Sequence, residues 1–306
     1  GKDGTVSLEA GSLPKNFFQI EKLAGKKDLG AEEWSHQKSD YIQKIDTIHH
    51  LIRNGIVYEL NYCLPFTQRA KDFNPYIFQI ELLKKSPVPM ASFLKIKNNF
   101  LCGASMERFL LKKDTALISQ PIKGTIKKGD SFDEDQQLIA QLKNSEKDRA
   151  ENVMIVDLVR NDLGRVCVPG TIQVDELFGI YSYLQVHQMI STVSGTIKSN
   201  QSFKEILRAT FPMGSMTGAP KISAMQQIDV LEDFKRGWYS GSVGYINPNG
   251  NFDFNVVIRS LRYNAELYQL AYFAGGAITI DSEAESEWNE IQLKTKAITE
   301  LLNLRR

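Results

Sequence analysis

The sequence predicts an α+β protein in which antiparallel sheets are covered by helices, organised as one compact unit of two interleaved subdomains. Three observations carry this. Helix-like and strand-like runs alternate irregularly, without the repeated strand–helix–strand units that build a parallel sheet. "SVGYI", the turn "NPNG" and "FDFNVVIRSL" read together as an antiparallel hairpin. No internal repeat, low-complexity tract or flexible linker divides the chain.

The elements follow from local pattern. Residues 1–35 have weak periodicity and many Gly, Lys and Glu residues, so a strand or two with loops is expected. Ile42, Ile45, Ile48 and Ile52 then fall at helical spacing; Ser39 can cap this helix and Gly55 can end it. "IVYELNYCLPF" reads as a strand, and short strand-like runs fill 76–119. A second helix opens at Ser131, which has capping-box spacing from Glu134, and runs to Gly164 with a break near Lys143–Lys147. Strands are expected near 172–178 and 190–197. A helix from Ser202 must end before Pro212. Another begins at Pro220, which suits a first helical position, and runs to about Phe234. Beyond the hairpin, "LYQLAYFAGGAITI" is a strand, and a last helix spans Ser282 to Leu302 with Ser282 and Glu285 as its capping box.

Bulk properties exclude several functions. The 306 residues suffice for a sizeable core, and 42% apolar with 24% charged residues is ordinary for a globular protein. A formal net charge of +1 gives no field that would select nucleic acid or an anionic membrane. No apolar run approaches a membrane span, and no secretory signal opens the sequence. Cys63, Cys102 and Cys167 are far apart and outside any metal spacing, so they read as reduced thiols of a cytoplasmic protein.

Several segments carry chemistry. Asp148 and Glu151 share a helix face, as do Glu287, Glu290 and Lys294. Acidic helix faces are mostly solvated, but Glu151 directly precedes an apolar stretch and so stands at the core edge. Two such faces across a cleft would form an all-oxygen site suited to Mg²⁺. "FPMGSMTGAPK" is either a tight turn entering a helix or an anion site, and it lacks the Walker A spacing. Gly275 and Gly276 allow close backbone approach at a strand. His187 lies in the largely apolar run "QVHQMIS", the usual setting of a satisfied core histidine. Arg259, read as a strand cation, needs a partner if it points inward, and a substrate carboxylate is one. Lys123 places a cation inside a Gly/Pro turn, as a solvated charge, a phosphate contact or an amine held for chemistry.

In order along the chain stand "GIVYELN", "SMERFL", "PIKGT", "AENVMIVDLVRNDLGRV", "VHQMISTVSGTI", "FPMGSMTGAPK", "YSGSVGYI", "NVVIRSL" and "GGAITIDSEAESEWNE". Over about residues 40–300 this set resembles the chorismate-utilising enzymes. That family includes anthranilate synthase component I, aminodeoxychorismate synthase component I, and the isochorismate and salicylate synthases. The resemblance implies the anthranilate synthase component I-like fold, two packed β-sheets with helices outside, and a cleft binding chorismate with Mg²⁺. Residues 39–306 would be the catalytic domain and 1–38 the remnant of a shortened N-terminal region. Feedback by tryptophan is then not expected, since no "LLES"-like segment occurs.

The resemblance also implies roles. Glu151 and Glu290 match direct metal ligands, and Glu287 a water-mediated companion. Asp148 stands where the family usually has Glu. Glu107 matches the general acid that assists departure of the C4 hydroxyl, and His187 the histidine near the ring. Tyr239, Arg259, Gly275 and Lys294 match positions holding substrate carboxylates, with Gly124, Thr125 and Thr217 about the same pocket. Ala277 replaces a common third glycine. Lys123 separates the branches: "PIKGT" is the aminodeoxychorismate synthase form, and anthranilate synthases have alanine there. That lysine attacks C2 as the C4 hydroxyl leaves, and ammonia then adds at C4. A nucleophilic amine must be deprotonated, so a depressed Lys123 pKa is expected. Glu59 stands where isochorismate and salicylate synthases place a water-activating lysine, and where many amine-using relatives have glutamine. The chain has no Cys-centred glutaminase motif, so ammonia implies a glutamine amidotransferase partner. The alternatives are anthranilate synthase component I and a non-catalytic chorismate-binding homologue, the latter requiring lost metal ligands.

Overall fold

The computed structural model describes residues 32–302. The strands and loops expected before residue 32 lie outside the described residues. Helix α1 (Glu32–Arg53) leads to strand β1 (Glu59–Arg69) and helix α2 (Pro75–Lys85). Next come β2 (Met90–Ile96), β3 (Asn99–Ser105), β4 (Arg108–Lys113), β5 (Ala116–Gln120) and β6 (Ile122–Lys127). Helices α3 (Phe132–Asn144) and α4 (Glu146–Gly164) precede β7 (Gln173–Ser182) and β8 (Val186–Thr196). Then follow α5 (Phe203–Thr210), β9 (Gly218–Ala219) and α6 (Lys221–Leu231). The last elements are β10 (Gly244–Ile246), β11 (Phe252–Asn255), β12 (Ser260–Asn264), β13 (Gln269–Ile278) and α7 (Ala284–Leu301).

The strands form two sheets. One is six-stranded, ordered β2-β3-β12-β13-β1-β9; the other is seven-stranded, ordered β10-β11-β4-β5-β8-β6 with β7 paired to β8. The pairings within both are antiparallel. This is the α+β fold expected. Each sheet owns a core. Tyr41, Ile45 and Ile48 of α1 pack with Phe78, Leu60 and Ile291 on the first; Ile155 and Val159 of α4 pack with Leu117 and Val193 on the second. Fully burying each such aliphatic side chain contributes about 1.5–3 kcal/mol.

The chain crosses between the sheets twice where it matters most. Met106 and Glu107 connect β3 to β4, and residues 256–259 connect β11 to β12. Backbone hydrogen bonds tie the crossings together: Val256 N–H donates to the Glu107 carbonyl (3.0 Å) and Ala104 N–H to that of Arg259 (3.1 Å). "FDFNVVIRSL" is therefore two strands in two sheets, not one. Arg259 is not in a strand at all; it occupies the left-handed region (φ 50°) just before β12.

Other differences are local. α1 starts at Glu32, so Ser39 lies inside it and not at its N-terminus, whereas Gly55 (φ 69°) does end it. The expected break in the second helix is at Ser145, whose hydroxyl accepts from Asp148 N–H and starts α4. Ser131 caps α3, but Glu134 turns to Lys127 and the Asp130 N–H and leaves the box half made. Pro220 precedes α6 rather than opening it, and α6 ends at Leu231. Ser282 is not a cap; its hydroxyl donates to Glu287 (2.7 Å) and accepts from Thr279 N–H (3.1 Å).

Candidate active site

A cavity lies between the sheets, under α4 and α7. Its lining includes Glu107, Lys123, Asp148, Glu151, Arg259 and Lys294. Lys123 comes from β6 and is only 7% exposed. Its Nζ is 2.6 Å from Oε1 of Glu59, the first residue of β1 and itself fully buried. Burial opposes the lysine's charge, but the Glu59, Glu151 and Glu107 carboxylates outweigh it and hold the pKa above that of an ordinary lysine. The expected depression is thus reversed. At rest Lys123 is an ammonium, because the surrounding carboxylates outweigh the cost of burying its charge.

Glu107 faces the same space from the first crossing. Ser215 Oγ donates to its Oε1 (2.6 Å), and the Ile122 backbone donates to it as well. Burial pushes its pKa up to about 7, against the hydrogen bond from Ser215 and the charges of Lys123 and Lys294. It therefore has the protonation an acid role requires near neutral pH.

The carboxylates form one wall. Asp148 and Glu151 project from α4, Glu287 and Glu290 from α7. Burial raises Glu151 to about 7, with Glu59 and Glu287 adding to the effect and Lys123 and Lys147 opposing it. Lys294, 2.5 Å away, holds Glu290 below its ordinary value. Lys147 donates to Glu287 (3.0 Å) and stands 3.9 Å from Glu151. Gly124 (φ 91°) turns the chain beside Asp148, and a Cβ there would lie 3.0 Å from the Asp148 side chain. Among the described residues no three His, Cys, Asp or Glu converge at metal-ligating distance. The Lys147 ammonium instead lies between the carboxylates of the two helices. The donors are nonetheless all oxygen, anionic and on one wall, which fits a hard divalent cation competing for that position.

Cations line the cavity as well. Arg259 Nη1 donates to the Lys294 carbonyl (3.2 Å), and burial draws its pKa down to about 10. Lys294 Nζ donates to the Gly275 carbonyl (2.8 Å). Gly275 faces Cys63 across the β1–β13 ladder, and any Cβ there would run into the Tyr62 carbonyl. Burial raises the Tyr239 phenol well above its ordinary range, and its ring stacks on Phe273 at 5.2 Å.

This geometry meets a matching family. Residues 18–300 fit the family model described as chorismate binding enzyme. The chain belongs to the chorismate-binding enzymes. It is 42% identical over 295 residues to the "Probable aminodeoxychorismate synthase, chloroplastic" of Oryza sativa subsp. japonica, covering 95% of this chain and 32% of that one. It is 36% identical over 267 residues to aminodeoxychorismate synthase component 1 of Escherichia coli (strain K12), covering 87% and 58%. Its fold matches the crystal structure of anthranilate synthase component I from Streptococcus pneumoniae with TM-score 0.77 and 30% identity, covering 86% and 57%. The chain spans less than two thirds of the length of these relatives.

The structure gathers most of the residues singled out from the sequence of this chorismate-binding enzyme, Thr125 included. Two it does not. His187 is fully buried off the cavity, with Nε2 2.8 Å from Asp135 Oδ1 and Nδ1 2.8 Å from Ser182 Oγ. Thr217 is also outside the lining; its hydroxyl donates to the Met213 (3.0 Å) and Gly214 (3.2 Å) carbonyls and fixes a turn. Successive strand residues face opposite sides, so Gln188 lines the cavity in place of His187. It is 2% exposed, and its Oε1 is buried without a hydrogen-bond partner. Sequence reasoning also missed Lys147, although its helical spacing to Glu151 was visible, and Ser215. "FPMGSMTGAPK" serves here as a turn that sets Ser215 against Glu107, while Lys221 pairs with Asp162 (2.6 Å).

Proposed function

We propose that this chain is the chorismate-aminating component of an aminodeoxychorismate synthase. It would convert chorismate and ammonia to 4-amino-4-deoxychorismate, the precursor of 4-aminobenzoate and folate, through a Lys123-bound intermediate. The observation that carries the reading is Lys123 Nζ, buried in the same cavity as the raised-pKa acid Glu107. The similarity to aminodeoxychorismate synthases supports it. Arg259 and Lys294 are the cations available to the substrate carboxylates. Glu151 and Glu290 would hold Mg²⁺, with Glu287 and Asp148 beside them. When bound, the ion supplies charge neutralisation for a substrate carboxylate.

In this reading the Lys123 amine attacks C2 with its lone pair, both conjugated ring double bonds shift, and the C4–O bond breaks. Glu107 gives its proton to the departing hydroxyl, which leaves as water. Ammonia then attacks C4, both double bonds shift back, and the C2–Nζ bond breaks with its electron pair returning to Lys123. The new C4 ammonium returns one proton to Glu107. A separate glutamine amidotransferase subunit would supply the ammonia. Three buried free cysteines support a reducing, cytoplasmic setting as part of the proposal. Among the described residues no helix is long and apolar enough to cross a membrane.

Anthranilate synthase component I is the second reading, favoured by the structural match. Chorismate, Mg²⁺ and ammonium incubated with the protein decide between them. 4-Amino-4-deoxychorismate supports the proposal; anthranilate with pyruvate overturns it, and no turnover points to a chorismate-binding homologue without activity.

A further inference from the structure

The lysine at the centre of the proposed reaction is held as an ammonium, and an ammonium has no lone pair with which to attack. We propose that Glu59 is the internal base that takes the proton from Lys123 and later returns it. This rests on the reading of Lys123 as a nucleophile.

Four observations place Glu59 in that role. Its Oε1 is 2.6 Å from Nζ, inside the reach a general base needs. It does not line the cavity, so it touches the amine from behind and leaves the ring side of Lys123 to substrate. Among the described residues no other carboxylate lies within 4 Å of Nζ; Glu107 and Glu151 act on it from farther away. Finally, Glu59 Oε2 is buried with no hydrogen-bond partner. That second oxygen is thus not committed to any other donor among the described residues. Moving one proton across the pair converts two buried charges into a neutral acid and a neutral amine.

The backbone holds the pair ready. Glu59 opens β1 in one sheet, and Lys123 lies on β6 in the other, so the packing of the sheets brings them together. β9 pairs with Glu59 and Leu60, and at Gly218 (φ 142°) a Cβ would run into the Glu59 carbonyl. The proton inventory closes. Nζ gives H⁺ to Glu59 and attacks C2, becoming a secondary ammonium. When ammonia at C4 expels it, Nζ leaves as a neutral amine and recovers the proton from Glu59.

The test is the rate at which chorismate with Mg²⁺, without ammonia, adds to Lys123, read by quenched intact mass from pH 6 to 9. Glu59→Gln should form the adduct about 10²-fold more slowly at pH 7, the scale of a lost general base. Its deficit should shrink by up to tenfold per pH unit, as solvent takes over the deprotonation. Glu151 loses the contribution of the Glu59 charge in Glu59→Gln, so Glu59→Asp, which keeps that charge, is the control for its titration. Glu59→Asp keeps a carboxylate, and its ratio to wild type should not change with pH. A chorismate titration shows that each variant is folded. Should Glu59→Gln not bind, Glu59→Asp decides alone: a constant ratio supports the base, and one that climbs with pH overturns it. Adduct formation in Glu59→Gln at the wild-type rate or faster, or with a pH-independent ratio, makes Glu59 an ion-pair anchor only and leaves the lysine reading standing. No adduct in wild type overturns both.

Discussion

Glu107→Gln should make the protein more stable and nearly inactive. In the fold Glu107 titrates at about 7 against an ordinary 4.5, chiefly because burial disfavours its anion. That difference amounts to about 3 kcal/mol, at about 1.4 kcal/mol per pH unit. The sign follows from where each state binds the proton. Between pH 4.5 and 7 the native protein keeps a proton that the unfolded chain has lost, so native stability falls as pH rises through this window. Above pH 7 the whole cost is present; below 4.5 it is absent. Glutamine has no charge to bury and can still accept the Ser215 hydrogen bond. Urea unfolding should therefore find Glu107→Gln more stable by up to about 3 kcal/mol at pH 8 and about equal to wild type at pH 4. Turnover should fall about 10²–10⁴-fold, as for a lost general acid. Wild-type turnover should also decline about tenfold per unit above pH 7 as the acid ionises. Equal stabilities at pH 8 would mean that Glu107 buries no such charge, and unchanged turnover in the variant that it gives no proton to the leaving group.

Further outcomes follow from the same geometry. Glu151→Gln and Glu290→Gln should each raise the Mg²⁺ concentration needed for half-maximal activity by at least about tenfold, measured by Mg²⁺ titration at saturating chorismate. Gln188→Leu should raise KM for chorismate. His187→Phe should instead lower the unfolding temperature, with KM within about twofold of wild type, because it breaks only the Asp135 and Ser182 bonds. Gly275→Ala should destabilise the fold by about 3 kcal/mol or more in urea, since its Cβ meets the β1 backbone.

What the sequence disclosed depended on whether it lay within one element. The faces of α4 and α7 were readable because helical spacing sets Asp148 and Glu151, or Glu287 and Glu290, side by side. Family segments then supplied Glu107, Lys123 and Arg259. Relations between elements were not readable. The Glu59–Lys123 pair joins two sheets across 64 positions of sequence, and nothing local signals it. The reversed Lys123 pKa follows from that pair. His187 shows a different limit: adjacent strand residues face opposite sides, and Gln188 rather than His187 takes the cavity side. The run through Arg259 looked like one strand because the chain stays apolar while it passes from β11 to β12. Ser39 looked like a cap because its helix begins before the apolar spacing does.

Covalent attachment of Lys123 to the ring is read by the intact mass of the protein with chorismate, Mg²⁺ and no ammonia. Wild type should gain the mass of chorismate less water and lose it when ammonium is added, while Lys123→Ala gains nothing. No gain in wild type, or an equal gain in Lys123→Ala, would contradict the account.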